Sequence, residues 1–188
     1  MKKTKIKKYT ENYVSNYIDL LSNAKLTTIQ EFYESRLLLS KIRKNKKKIL
    51  IFGNGGSSAI ANHVTVDFVN VAKIKALTIN NSSIITCFAN DYGFENWIKQ
   101  AIKIYLNKGD VLILISSSGE SKNMINACNY AKKISENIIT FTGFKKNNTL
   151  SKIGKINFWF DSNNYNYIEN IHQFFLLALS DSFKSSDK

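Results

Sequence analysis

The sequence predicts an α/β fold: a doubly wound, five-stranded, mostly parallel sheet flanked by helices, preceded by two further helices. Three observations carry this. Five short β-branched or aliphatic runs alternate with helical segments from residue 48 onward. Two of them, Ile49-Leu-Ile-Phe52 and Val111-Leu-Ile-Leu-Ile115, lack any polar alternation, so those strands are covered on both faces. Both of these runs empty into a Gly/Ser loop that opens a helix, an internal echo between residues 48–58 and 110–121.

The elements follow in order. Tyr9, Tyr13, Tyr17, Leu20 and Leu21 fall at helical spacing. Ile29, Phe32, Tyr33, Leu37 and Ser40 repeat the pattern after a break at residues 23–27. Aromatic stripes of this kind pack against a core or a neighbouring subunit, so residues 1–46 read as a helical segment for oligomerisation. Residues 47–183 read as the α/β core, with strands at 48–53, 74–79, 111–116, 137–142 and 155–160. A helix is expected over 122–133 and a largely buried one over 167–183, marked by Ile168, Ile171, Phe174, Phe175, Ala178 and Leu179. Residues 184–188 form a short polar tail. In such a fold, ligands sit at the carboxyl ends of the strands.

Composition removes several alternatives. At 188 residues the chain has the length of one domain, and no apolar run approaches the roughly 20 residues of a membrane helix. The basic N-terminus is not followed by a signal-peptide apolar segment, and a cytoplasmic location is expected. Cys87 and Cys128 are too far apart for a Cys-x-x-Cys site and read as small buried hydrophobes in a reducing compartment. Lys+Arg is 27 against Asp+Glu 14, a net charge of +13. Yet only Arg36 and Arg43 are arginines, the residue that phosphate-clamping and base-reading surfaces favour. The charge is read as solvated surface, and nucleic acid is not the expected partner.

The two Gly/Ser loops carry the chemistry. Ile115-Ser-Ser-Ser-Gly-Glu-Ser121 leaves a buried strand and enters a helix, whose N-terminal N–H groups and partial positive charge bind anions. Ser116, Ser117, Ser118 and Ser121 add hydroxyl donors, and a loop of neutral donors suits a phosphomonoester. Gly53-Asn-Gly-Gly-Ser-Ser58 is neither Gly-x-Gly-x-x-Gly nor a P-loop, so no nucleotide cofactor is expected. What remains is a tight turn, with Asn54, Gly55, Gly56 and Ser57 suited to a small ligand.

Taken together, Phe52-Gly-Asn-Gly-Gly-Ser-Ser-Ala-Ile-Ala-Asn-His63, Ala89-Asn-Asp-Tyr-Gly-Phe-Glu95 and Ile115-Ser-Ser-Ser-Gly-Glu-Ser121 resemble the sugar isomerase (SIS) family, and within it the phosphoheptose isomerase branch. The resemblance implies a homotetramer built through N-terminal helices. It also implies aldose–ketose isomerisation of a sugar phosphate such as sedoheptulose 7-phosphate, at a zinc-binding site shared between subunits. The family's metal-binding His and its Glu, an acid/base four residues on, correspond to His63 and Asp67. Its Gln and second His in the last helix correspond to Glu169 and Leu177, and a sugar-binding Asp to Asn81.

The resemblance thus places the phosphate on Asn54, Gly55, Gly56, Ser57, Ser116, Ser117, Ser118 and Ser121, with Asn81 on the sugar. Asp67 would take the proton, with Glu169 or His172 replacing the lost histidine, and His63, Asp67 and Glu169 would be the residues left to hold Zn²⁺. Glu120 stands where the family usually has a neutral residue and is expected to face solvent. Two functions stay open: a phosphosugar isomerase with a remodelled site, or a non-catalytic SIS module that binds sugar phosphate or serves as a tetrameric adaptor.

Overall fold

The computed structural model describes residues 3–184; Met1, Lys2 and residues 185–188 of the polar tail lie outside them. Five parallel strands form one sheet in the order β2-β1-β3-β4-β5. They are β1 (Lys48–Gly53), β2 (Lys75–Leu77), β3 (Val111–Ser116), β4 (Ile138–Thr142) and β5 (Ile156–Trp159). β2 is shorter than the 74–79 run because it lies at the sheet edge and pairs only with β1, from Lys48↔Lys75 to Leu50↔Leu77.

The strands explain their own composition. Ile49 and Ile51 of β1 pack on one side of the sheet with Val111, Ile113 and Ile115 of β3. Leu50 and Phe52 pack on the other with Leu112 and Leu114. Successive side chains point to opposite faces, and here both faces are buried, so these runs of β1 and β3 are apolar, while β4 buries Thr140 and Thr142 by donating their hydroxyls to Asn157 Oδ1. The first face is covered by α2 (Ile29–Lys44), α3 (Gly56–Asn70) and α8 (Tyr165–Asp181). The second is covered by α5 (Trp97–Tyr105), α6 (Lys122–Ala131) and α7 (Thr149–Ile153), with α4 (Ser82–Tyr92) at the edge.

The break expected at residues 23–27 is not there. α1 runs unbroken over Lys3–Thr27, and the chain turns at the single residue Thr28. Leu20, Ala24 and Thr28 are all buried, at a spacing of four, so the helix face continues through a stretch whose other residues, Leu26 among them, are exposed. Thr28 Oγ1 donates to Ala24 O at 2.7 Å and closes the turn. α1 docks on α8 through Tyr13, whose ring lies edge-on to Tyr167 at 4.6 Å and whose carbonyl accepts from Tyr167 Oη. Tyr9, Ile29, Tyr33 and Leu37 stay exposed.

Cys128 is buried, as expected, but Cys87 is exposed on α4, where the sheet edge gives it nothing to pack under. Among the described residues no helix is long and apolar enough to cross a membrane.

Candidate active site

The strand order reverses direction between β1 and β3, and that switch point opens a crevice at the carboxyl ends of the two strands. Register fixes its level: Gly53, the last residue of β1, lies beside Ile115, so Asn54 leaves the sheet at the level of Ser116, the last residue of β3. Between the two loops is a cavity of about 100 Å³. Asn54 and Ser57 line it from the first loop, Ser116, Ser117, Ser118 and Ser121 from the second, and Tyr165 and Glu169 from the start of α8. That is the space of a small oxyanion, comparable with about three waters of liquid. Gly55 and Gly56 form the turn into α3, and Ser121 stands at the N-cap of α6. Two helix N-termini therefore converge on the cavity.

Ser57, Ser116 and Ser117 are almost fully buried, and the Ser117 hydroxyl has no hydrogen-bond partner among the described residues. A buried hydroxyl left unpaired on a cavity wall points to a polar ligand that pairs it. The second loop is tightened by Gly119 N, which donates to Ser116 O at 3.0 Å. Gly119 has φ +67°, and a methyl group there would stand 2.0 Å from Asn148 Oδ1.

The loops are clasped by a pair the sequence did not announce. Asn54 Nδ2 donates to Asn123 Oδ1 at 3.0 Å, and Asn123 Nδ2 donates back to Asn54 Oδ1 at 2.8 Å. Glu120 faces away from the cavity: its carboxylate accepts from Thr149 N at 2.9 Å and Thr149 Oγ1 at 2.7 Å, bonds that hold its pKa down.

Glu169 is the acid nearest the cradle. Its carboxylate lies over Gly56, where the Cβ of any other residue would stand 2.3 Å from Oε2. Desolvation raises its pKa, which favours a carboxyl group that holds a proton. From Gly56 the seam between α3 and α8 runs outward to His63 and Asp67. His63 Nε2 is 3.8 Å from Asp67 Oδ2, and Gln173 Nε2, on α8, is 3.3 Å from His63 Nδ1.

Two expected site residues lie elsewhere. Asn81 is exposed and spends its side chain capping α4, accepting from Ser83 N at 2.9 Å; it is not on the cavity wall. His172 is fully buried between Phe141 and Phe160 and donates from Nε2 to Thr142 O at 3.3 Å. Three residues along a helix place it about 60° from Glu169, enough to turn it from the seam into the sheet. It is a core histidine. Desolvation pushes its pKa down to about 4, against a smaller upward pull from the bond to Thr142.

Its titration predicts an acid limb of stability. The unfolded chain binds a proton near pH 6.5 that the folded chain refuses until about pH 4, so stability falls as pH drops through that window. The loss is about 3 kcal/mol in total, readable as urea midpoints between pH 7 and pH 4 and absent from H172L.

The expected metal set does not assemble. Among the described residues no three His, Cys, Asp or Glu side chains come together as ligands. Glu169 stands over Gly56, seven residues and about 10 Å of helix rise before His63. Leu177 packs against the core. Within one protomer His63 and Asp67, on one helix, fall short of the three or four protein ligands of a zinc site, and no step proposed below passes through a metal.

Comparison with known proteins places this architecture. Residues 12–143 match the model of the SIS domain. A phosphoheptose isomerase of Thermodesulfovibrio yellowstonii is 37% identical over 122 residues, which cover 62% of this chain and 61% of the relative, so that match spans about six-tenths of the relative's length. A phosphoheptose isomerase of Campylobacter concisus is 31% identical over 186 residues, covering 94% of this chain and 93% of the relative. The solved phosphoheptose isomerase of Neisseria gonorrhoeae superposes with a TM-score of 0.89 at 24% identity, over 96% of this chain and 99% of that one, a likeness of fold. By sequence and by fold, the chain belongs to the SIS domain family, in its phosphoheptose isomerase branch.

Proposed function

We propose that this chain is a sugar-phosphate isomerase that interconverts the ketose and aldose forms of a substrate such as sedoheptulose 7-phosphate, with Asp67 as the base that takes the substrate proton. The observation that carries this reading is the buried, unpaired Ser117 hydroxyl on the wall of an oxyanion-sized cavity at the β1/β3 switch point. The phosphate sits on Asn54, Ser57 and the Ser116–Ser121 loop, beside the turn of Gly55 and Gly56. The open-chain sugar runs along the α3/α8 seam toward Asp67. Asp67 removes the proton from the carbon α to the carbonyl, and a water of the seam gives a proton to the carbonyl oxygen, which leaves an enediol. Return of the first proton from Asp67 to the neighbouring carbon, with the hydroxyl proton passing back to water, completes the exchange. Glu169, over Gly56 and about 16 Å of helix rise from Asp67, stays at the phosphate end.

The seam is open in one protomer, where the His63 side chain is 52% exposed. A homotetramer assembled through α1 and α2 closes it in this proposal, which accounts for the apolar residues those helices leave uncovered. Work in a reducing cytoplasm suits two unbridged thiols.

Purified protein incubated with sedoheptulose 7-phosphate, in the presence and absence of a chelator, is expected to accumulate the aldose in both. Absence of turnover with retained thermal stabilisation by the sugar phosphate would replace the enzyme by a binding module. Sedimentation of a monomer at micromolar concentration would remove the assembly.

A further inference from the structure

We infer that Gln173 is a positioning residue: it orients His63 toward Asp67 and, in doing so, occupies the lone pair that a metal ion would need. Gln173 lies one helical turn beyond Glu169 on α8, on the side facing α3, and its Nε2 is 3.3 Å from His63 Nδ1. An amide nitrogen only donates, so Nδ1 is the acceptor. A neutral imidazole carries one N–H, which therefore stands on Nε2. Nε2 in turn faces Asp67 Oδ2 at 3.8 Å, a separation that one bridging water or a small side-chain rotation closes.

The i, i+4 spacing on α3 keeps His63 and Asp67 on one face. The imidazole N–H thereby steadies one carboxylate oxygen of Asp67 and leaves the other for the substrate proton. With Nδ1 accepting from Gln173 and Nε2 protonated toward Asp67, neither nitrogen is open to a cation. The disagreement between this chain's residues and a zinc site thus has a local cause on α8.

This inference rests on Asp67 as the carboxylate that takes the proton, and its test has an arm that does not. The chain holds two histidines, so a protein labelled with ¹⁵N-histidine gives two ring spin systems, assigned by loss of one in H63Q. The His63 signals should show Nε2 protonated and Nδ1 bare. The isosteric Q173E presents an acceptor in place of the donor and should move the proton to Nδ1, while Q173L should populate both tautomers. In kinetics, Q173L should lower kcat roughly tenfold with KM nearly unchanged, as loss of an orienting partner does. Q173K, which restores a donor, should recover part of it. With Zn²⁺ alone as probe, Q173L should bind more tightly than the natural protein.

A proton on Nδ1 in the natural protein, or a tautomer that Q173E leaves in place, overturns the inference whatever the activity. The tautomer shift without turnover in any form upholds the role of Gln173 toward His63 and overturns the reading of Asp67.

Discussion

Asp67→Asn is expected to lower kcat for the isomerisation by roughly 10²- to 10⁴-fold, the range a positioned base supplies, with sugar-phosphate affinity within a few-fold of the natural protein. The amide is the same size and keeps an oxygen for the His63 N–H, but it cannot take a proton from carbon. Asp67 sits well over two turns along α3 from the cradle, so removing its charge leaves the phosphate contacts in place. The split between rate and affinity is the informative quantity. Initial rates with sedoheptulose 7-phosphate, set beside its affinity by calorimetry, measure it. A variant that binds poorly and turns over normally when saturated would place Asp67 in recognition and not in proton transfer.

Gly119→Ala is the second large effect, and it acts on the cradle. At φ +67° an L side chain is strained by about 1–2 kcal/mol, before any collision is counted. The added methyl group then meets Asn148 Oδ1 at 2.0 Å. Asn148 cannot swing aside: it is fully buried, accepts from Ser151 N at 2.9 Å and donates to Lys145 O at 2.9 Å. Relief must come from the loop itself, at a further cost of about 1–3 kcal/mol. The expected result is a loss of stability of roughly 2–5 kcal/mol together with loss of thermal stabilisation by sedoheptulose 7-phosphate. A normal melting temperature with normal ligand-induced stabilisation would show that the second loop does not hold the phosphate.

Much of this was legible because it is local. β1 and β3 each end one residue past their apolar runs, at Gly53 and Ser116, since strands buried on both faces are mostly apolar until they reach the sheet's end. The cradle was legible for the same reason, since the Gly/Ser loops sit at the ends of those strands. Other features depend on partners far away in the chain. The Asn54–Asn123 clasp joins residues 69 positions apart, and Gln173 meets His63 across 110. No periodicity encodes either. His172 misled because helical spacing shows which residues are neighbours but not which of two packed surfaces each one faces. α8 has both: Glu169 lines the cavity, and His172 is shut in against Phe141 and Phe160. The continuous α1 was hidden because the buried Ala24 is too small to register as apolar patterning and the larger Leu26 beside it faces solvent.

The reciprocal amides of Asn54 and Asn123 have an evolutionary consequence. Asn123 is 2% exposed, so changing its partner alone strands a desolvated amide, whereas changing both together removes the debt as well as the bond. The costly first step is the loss of Asn54, since half-buried Asn54 lines the cavity and is left less stranded when Asn123 goes. Descendants of this sequence should thus cross that point of the protein by paired replacement, and a double-mutant cycle on N54A and N123A should return a coupling of about 1–2 kcal/mol.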